Sequence, residues 1–211
     1  MQILQIAARR IIESRFAVFS MALGGLTFSI WLHYERHFDW NLQRYFFRDG
    51  QWLVNDKEPI GRFLFYTGPK AFLVITGLCL LVRHAIRYRK GPPSPQPWIR
   101  FLICLIAIPS LISVAKALTH EPCPQDFTIF AGPQALPMNG QCFPAGHASG
   151  GFALIGLFWY WSASVPGALF GIFFGSALGL YQMAKGAHFL SDTLVTCFFA
   201  WTICLQKKKK K

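Results

Sequence analysis

Charged residues are scarce in this chain of 211 residues, and acidic residues are the scarcest, with 9 Asp and Glu against 21 Lys and Arg. Charged side chains make up only 14% of the sequence, whereas hydrophobic residues make up 53%. This composition excludes an ordinary water-soluble domain, because several apolar runs are long enough to span a bilayer. The sequence therefore predicts a polytopic membrane protein, with the lipid bilayer as a partner.

The net charge of +12 does not indicate a nucleic-acid-binding protein. The basic residues cluster at the ends of apolar runs, which is the pattern of the positive-inside rule. The pattern of a cleavable signal peptide is also lacking, because the basic amphipathic stretch from Met1 to Ser14 leads directly into a long apolar run.

The apolar runs predict an all-α fold, a six-transmembrane helical bundle that forms a single domain over residues 1–211. The predicted spans cover residues 16–34, 63–82, 101–118, 148–161, 166–184 and 189–205. The stretch from Glu35 to Glu58 mixes charges with aromatic residues, so we expect it to lie in the lipid headgroup region. Glycines at four-residue spacing predict a groove on the fifth span that another helix approaches closely: Gly167, Gly171, Gly175 and Gly179.

Six spans place both termini on the same side of the membrane. That side contains three basic clusters, at Arg9 to Arg15, Arg83 to Lys90 and Lys207 to Lys211, so the positive-inside rule predicts that it is the cytoplasm. We interpret the chain as a multi-pass protein of a bacterial inner membrane, with an outward-facing active site on the periplasmic side.

His188 and Asp192 are the first candidates for chemistry. They are four residues apart at the start of the sixth span, so a helix there would put them on one face. A carboxylate beside an imidazole can fix its tautomer and prepare the other nitrogen to attack or to take a proton. The alternative is a polar pair that joins two helices, although ionisable residues in membrane segments indicate function by default.

Two further candidates lie near the ends of other spans. His147 is at the predicted start of a helix whose first free amides form an anion site, and from there it could protonate a leaving oxygen. Lys116 is near the end of the third span and could neutralise a phosphate. The alternatives are a capping histidine at position 147 and a lysine at position 116 that only reaches the headgroups. Lys70 could line the same pocket, but we favour a lysine that reaches the headgroups or pairs two helices.

The order of these residues resembles the type 2 phosphatidic acid phosphatase superfamily. The first motif of that family is Lys, six residues, Arg-Pro, which is similar to Lys116 with Cys123-Pro124. The second motif is Pro-Ser-Gly-His, which resembles Pro144 to His147. The third is Ser-Arg, five residues, His, three residues, Asp, which resembles the stretch from Tyr181 to Asp192.

The chain departs from the family motifs at Cys123, Ala145 and Gln182, where the family has Arg, Ser and Arg. In the family the Arg and Ser side chains hold phosphate oxygens. A lysine does not reproduce the bidentate fork of an arginine, so the substrate geometry is expected to be unusual. The resemblance implies that the phosphate is held here by Lys116, Gly146 and Gln182. Lys185 lies one turn after Gln182, and we hypothesise that it returns one positive charge to this phosphate site.

The resemblance also implies the reaction. His188 would attack phosphorus, Asp192 would orient its ring, and His147 would protonate the departing alkoxide, without a metal or another cofactor. The substrate would be a lipid phosphate: phosphatidic acid, phosphatidylglycerophosphate, an isoprenyl pyrophosphate or a phosphate of lipid A. The alternatives are a lipid-to-lipid phosphotransferase, an inactive lipid-binding or transport relative, and a metal hydrolase that uses His120, His147, His188 and Asp192.

Two of the six cysteines predict a disulfide. Cys123 and Cys142 flank the outer loop between two motifs, and a periplasmic loop permits the bond. Closing a loop of this size would stabilise the fold by about 3 kcal/mol in the chain-entropy model. Two free thiols are the alternative. The other four cysteines lie within predicted spans, where we expect them to be small apolar packing residues.

Overall fold

A computed structural model describes residues 14–55, 57–89, 97–132, 140–161 and 164–205 of the chain. These residues are mostly helical, as the all-α prediction requires. The basic stretch that precedes Ser14, the residue Lys90 and the C-terminal lysine cluster lie outside the described residues.

The helices of the described residues are numbered in chain order. They are α1 Arg15–Glu35, α2 His37–Phe46, α3 Pro59–Arg62, α4 Gly68–Tyr88, α5 Pro97–Thr119, α6 Thr128–Ala131, α7 Gly146–Ala153, α8 Leu157–Tyr160, α9 Val165–Ala184 and α10 Leu190–Leu205. A π-helical turn, Phe63–Thr67, joins α3 to α4, and 3-10 turns occupy Pro124–Asp126 and Leu154–Gly156. A small hairpin follows α2, with strands β1 Phe47–Arg48 and β2 Gln51–Trp52.

Among the described residues, four segments are long and apolar enough to cross a membrane: Phe16–Glu35, Pro59–Tyr88, Trp98–Ala131 and Val165–Ala184. The last helix, α10, is a shorter apolar helix. These helices make the chain a multi-pass membrane protein. The predicted count of six spans remains a prediction, because the predicted fourth and sixth spans do not reach the length of the other four.

The predicted fourth span, residues 148–161, differs most from expectation. A 3-10 turn separates α7 from α8, so the segment is not one regular α-helix. Its large side chains Phe152, Ile155 and Phe158 are buried at the centre of the bundle. Because this segment is surrounded by protein, it needs no long lipid-facing surface, and its length is set by packing instead of bilayer thickness.

The groove predicted on α9 is confirmed. Gly167, Gly171 and Gly175 lie against backbone or ring atoms of the α7–α8 segment, and Gly179 lies against Thr193 of α10. A Cβ atom on any of these glycines would come closer to its neighbour than packed carbon atoms normally approach. The four glycines therefore let the central segment and α10 pack directly on the backbone of α9.

The N-terminal helices reach the same end of the bundle as the turn between α9 and α10. Arg36 ends α1 in the left-handed region, with φ at 50°, and redirects the chain into α2. Asp39 and Gln43 of α2 are buried, and Gln43 donates a hydrogen bond of 2.7 Å to the carbonyl of Met183. The segment predicted to lie in the headgroup region thus packs against the end of α9.

Candidate active site

His188 lies in the turn between α9 and α10 and is only 1% exposed. Gly186 makes this turn with φ at 76°, and α10 begins at Leu190, so His188 precedes the helix instead of lying on its face as predicted. The predicted pair nevertheless meets, because the Nδ1 atom of His188 is 3.4 Å from Oδ2 of Asp192. The backbone N–H of Phe189 donates to the same oxygen at 2.9 Å. With Nδ1 directed at the carboxylate, Nε2 is the nitrogen left to react.

His147 is the second residue of α7 and faces the same region from another helix. Its ring centroid is 6.1 Å from that of His188, with 56° between the ring planes. Two hydrogen bonds fix the start of α7 on α10: Ala145 N–H donates to the Asp192 carbonyl at 3.2 Å, and the Thr196 hydroxyl donates to the Ala145 carbonyl at 3.2 Å. The structure therefore brings together the two histidines that the sequence analysis selected.

Lys116 lies beside the amino end of α7. Its Nζ atom is 3.7 Å from the position that a Cβ atom on Gly146 would occupy. Lys116 belongs to the last turn of α5, where the Thr119 hydroxyl donates to the carbonyl of Phe143 and so joins α5 to the chain before α7. An ammonium group and free helix amides at one point can bind an anion.

Two further lysines lie within electrostatic range of His147, namely Lys185, as predicted, and Lys70, which we had assigned to the headgroups. Lys185 follows the end of α9, and its Nζ atom is 5.9 Å from the ring centroid of Tyr66. The Tyr66 centroid is in turn 4.6 Å from that of His147. Three lysines therefore lie within electrostatic range of one histidine: Lys116 matches the lysine of the family motif, whereas the two arginines of the motifs correspond to Cys123 and Gln182.

Gln182, the fourth predicted phosphate ligand, is fully buried in the last turn of α9. Neither atom of its side-chain amide has a hydrogen-bond partner among the described residues. Gln182 does not line the cavity that reaches Lys116 and His147. Its predicted contact with phosphate therefore remains a prediction.

A cavity of about 500 Å³ opens between α4 and α5 and reaches the candidate site. Its polar end is lined by Lys70, Lys116, Gly146 and His147. The rest is apolar and extends along α4 and α5 past Leu78, Leu81 and Ile106, which are exposed on the outer surface of the bundle. A surface of this kind faces lipid in a membrane, so the cavity connects the polar groups with the hydrocarbon region.

The model of the PAP2 superfamily matches residues 97–206, which is just over half of the chain. The chain belongs to the PAP2 superfamily. The resemblance inferred from the motifs is confirmed, and membership implies a phosphatase-type activity in general. A search of curated proteins and a search of solved structures gave no significant match.

An aromatic cover closes the site of this PAP2 protein at its loop end. The cover consists of Trp40, Phe47, Trp52, Phe127, Phe130 and Phe189, whose rings contact one another. The Trp52 ring packs against Gly186 in the turn that precedes His188. The cavity between α4 and α5 reaches the site at Lys116 and His147, and His188 does not line it.

Cys123 and Cys142 form a disulfide, with Cα atoms 5.1 Å apart. Beside it, Cys142 N–H donates to the Glu121 carbonyl at 3.0 Å, and the Glu121 carboxylate pairs with the Arg36 guanidinium at 2.8 Å. Cys123 stands where the family has an arginine, so this PAP2 protein has a cross-link at the position of a phosphate ligand. Of the free cysteines, Cys104 and Cys204 are buried, Cys197 is half-buried and Cys79 is exposed.

Two buried polar residues that the sequence analysis did not select lie against the motif-bearing turn. His33, in the last turn of α1, has its Nδ1 atom 3.5 Å from Oδ1 of Asp192. Asp39 accepts a hydrogen bond of 3.2 Å from Ser191 N–H, and burial raises the pKa of its carboxyl group above the usual value of 3.8. The signal for His33 was present in the sequence, since an ionisable residue inside a predicted span indicates function.

Three of the four residues considered for a metal site, His147, His188 and Asp192, lie near one another. His120 is exposed at the end of α5. Across the described ranges, no three His, Cys, Asp or Glu side chains are arranged to hold a metal ion.

Proposed function

We propose that this PAP2 protein is a membrane lipid phosphatase that removes phosphate from a lipid monoester or pyrophosphate through a phosphohistidine on His188. The observation that carries this proposal is the cavity between α4 and α5, because one opening joins cationic groups and His147 to an apolar, lipid-side groove. A soluble phosphate ester would not need the groove, whereas a lipid needs both parts.

The reaction follows from the placement of the two imidazoles. Nε2 of His188 attacks phosphorus, the bond from phosphorus to the leaving oxygen breaks, and His147 donates its proton to that oxygen. The Asp192 carboxylate, 3.4 Å from Nδ1, stabilises the positive charge that His188 acquires. Water then attacks phosphorus, His147 takes the proton from this water, and inorganic phosphate leaves with His188 restored.

The phosphate clamp consists of lysines and amides. Lys116 and the amino end of α7 supply donors at the point where negative charge develops. Lys70 and Lys185 add positive charge on the other sides of His147. Single lysines act as point charges, so they suit a phosphate whose orientation is set by the lipid chain in the groove.

The charge distribution supports a membrane orientation with the site on the periplasmic side of a bacterial inner membrane. In the sequence, eight of the nine acidic residues fall in two segments or at one helix start: from Glu35 to Glu58, at Glu121 and Asp126, and at Asp192. By contrast, Arg83, Arg87 and Arg89 lie at the carboxyl end of α4, and no acidic residue is near them in the sequence. The positive-inside rule assigns the arginine-rich end to the cytoplasm. Six spans, with both termini cytoplasmic, satisfy this orientation.

Phosphate release by the purified protein in detergent tests the proposal. The substrates are phosphatidic acid, phosphatidylglycerophosphate, an isoprenyl pyrophosphate and a phosphate ester without a hydrocarbon chain, each with and without a chelator. We expect release from at least one lipid, resistance to the chelator and little release from the chainless ester. His188→Ala should abolish release, and His84→Ala, which changes a histidine packed on Trp98 at the other end of α4, should retain it. Release that is equal for the chainless ester and the lipids, or that survives in His188→Ala, would contradict the proposal.

A further inference from the structure

Asp192 contacts two histidines, and they come from different parts of the chain. Its Oδ2 atom is 3.4 Å from Nδ1 of His188, and its Oδ1 atom is 3.5 Å from Nδ1 of His33. Both imidazoles therefore present the same ring nitrogen to opposite oxygens of one carboxylate. His33 belongs to α1, outside the region that the family model matches.

The surroundings of His33 fix its ring in this position. The ring centroid is 4.2 Å from that of Phe143, and His33 is 5% exposed. Its Nδ1 atom is also 3.3 Å from the Ser191 hydroxyl, which lies 3.5 Å from the same Asp192 oxygen. When Nδ1 of His33 carries the proton, its N–H can be shared between the hydroxyl and the carboxylate, and this is the tautomer that the inference uses.

We propose that His33 is a positioning residue that acts on His188 through Asp192, and this inference rests on the proposed function. By donating to Oδ1, His33 holds the carboxylate so that Oδ2 accepts from Nδ1–H of His188. That bond in turn selects the tautomer of His188 whose Nε2 carries the reactive lone pair. Without the donor, Oδ1 would lose a buried partner and the carboxylate could rotate away from His188.

The position of His33 separates this role from substrate binding. His33 does not line the cavity that reaches Lys116 and His147. Its described contacts are with Asp192, Ser191, Phe143 and Tyr34, and none of these residues lines that cavity. Loss of the role should therefore lower kcat and leave KM nearly unchanged.

Two amide substitutions at His33 form a matched pair. In His33→Asn the amide nitrogen can occupy the place of Nδ1, whereas in His33→Gln it reaches the place of Nε2, away from Asp192. Both variants are neutral and polar, so their cost to folding should be similar. His33→Phe keeps the ring packed on Phe143 and removes the donor. His84→Phe is the control, because His84 is a histidine of another spanning helix far from the site.

The kinetic measurement uses the full-length protein in detergent with the best lipid substrate. His33→Gln and His33→Phe should lower kcat by about 10- to 100-fold with KM changed by about twofold at most, as is usual when a group that orients a reacting imidazole is lost. His33→Asn should restore kcat to within about threefold of the unsubstituted protein. Equal kcat values for the Asn and Gln variants, or a loss that appears in KM, would overturn the inference. If His33→Phe does not fold, the Asn and Gln pair alone decides.

A second readout does not depend on turnover. Nitrogen NMR of protein with labelled histidine, assigned by comparison with His188→Ala, reports which ring nitrogen of His188 carries the proton. The unsubstituted protein and His33→Asn should contain His188 protonated on Nδ1, and His33→Gln should contain a mixture of tautomers. Absence of phosphate release from the unsubstituted protein would refute the proposed lipid phosphatase, whereas an unchanged tautomer in His33→Gln would refute the role of His33.

Discussion

The half of the chain that the PAP2 model matches, residues 97–206, and the N-terminal half before it contain spanning segments that differ in burial. In the matched half, 56% of the most apolar 18-residue stretch of α9 is buried inside the protein. In the N-terminal half, only 11% of the corresponding stretch of Pro59–Tyr88 is buried. Helix α9 packs on its neighbours through glycines and Pro59–Tyr88 leaves most of its surface exposed to lipid, whereas Phe16–Glu35 and Trp98–Ala131, one from each half, are both 28% buried. The difference between the two extreme segments indicates that α9 belongs to the scaffold and that α4 forms the boundary between the site and the bilayer.

The candidate site draws on both halves, but in different ways. His147, His188 and Asp192, which would carry out the chemistry, all come from the matched half. Lys70 and His33 come from the N-terminal half, and both reach the site from its edge. We therefore expect substitutions in the matched half to affect chemistry and folding directly, and those in the N-terminal half to act on the reacting residues indirectly, through the charge of Lys70 or through the contact of His33 with Asp192.

The largest expected difference between the two halves is in kcat/KM, and it is measured by substituting one lysine from each half. Lys116→Ala should lower kcat/KM by about 100-fold, because it removes a donor at the amino end of α7. Lys70→Ala should lower kcat/KM by about tenfold or less, since Lys70 is exposed and its charge is more screened. Phosphate release by the two variants measures both effects, with Lys57→Ala in an exposed loop as the control. A larger effect of Lys70→Ala would reverse the comparison.

Glycine substitutions sharpen the comparison of packing. Gly171→Ala should destabilise the protein by about 1–3 kcal/mol, because the added Cβ atom meets the backbone of Ile155. Gly24→Ala in α1 should be neutral or stabilising by up to about 1 kcal/mol, since no atom lies within 4 Å of its added Cβ and alanine favours the helix. Thermal unfolding in detergent compares the two variants. Equal losses would show that the N-terminal half is packed as tightly as the matched half.

The smallest expected effect concerns Asp39, where α2 of the N-terminal half meets α10 of the matched half. Burial raises the pKa of this carboxyl group, so its ionisation opposes folding, and the penalty grows as pH rises from the unfolded value of 3.8 through the raised folded value. Asp39→Asn keeps an acceptor for Ser191 N–H and removes the charge. The variant should therefore unfold at a higher temperature than the unsubstituted protein at about pH 8, with the difference vanishing near pH 4. A difference that grows toward low pH would contradict this assignment.

The sequence predicted those features that depend on local pattern. The glycine face of α9 could be predicted because close helix approach requires small residues at four-residue spacing. The two histidines, Asp192 and Lys116 could be selected as candidates because their order and spacing match the family motifs. The disulfide could be predicted because Cys123 and Cys142 flank one loop.

Other features depend on tertiary contacts that no local pattern records. The break between α7 and α8 follows from burial on the glycine face of α9, and hydropathy alone does not distinguish a buried segment from a lipid-facing one. The left-handed turn at Arg36 sends α2 across the site, although arginine has no special preference for that conformation. The contact of His33 with Asp192 joins residues 159 positions apart in the chain, and so the role of His33 required the fold.

Transfer of a labelled phosphoryl group to His188 tests the central claim most directly. The purified protein is mixed with a lipid carrying a labelled terminal phosphate, the reaction is stopped rapidly in base, and the labelled residue is located by peptide mapping. We predict base-stable label on His188 in the unsubstituted protein and none in His188→Ala. Label on another residue, or phosphate release by His188→Ala at an undiminished rate, would contradict the account.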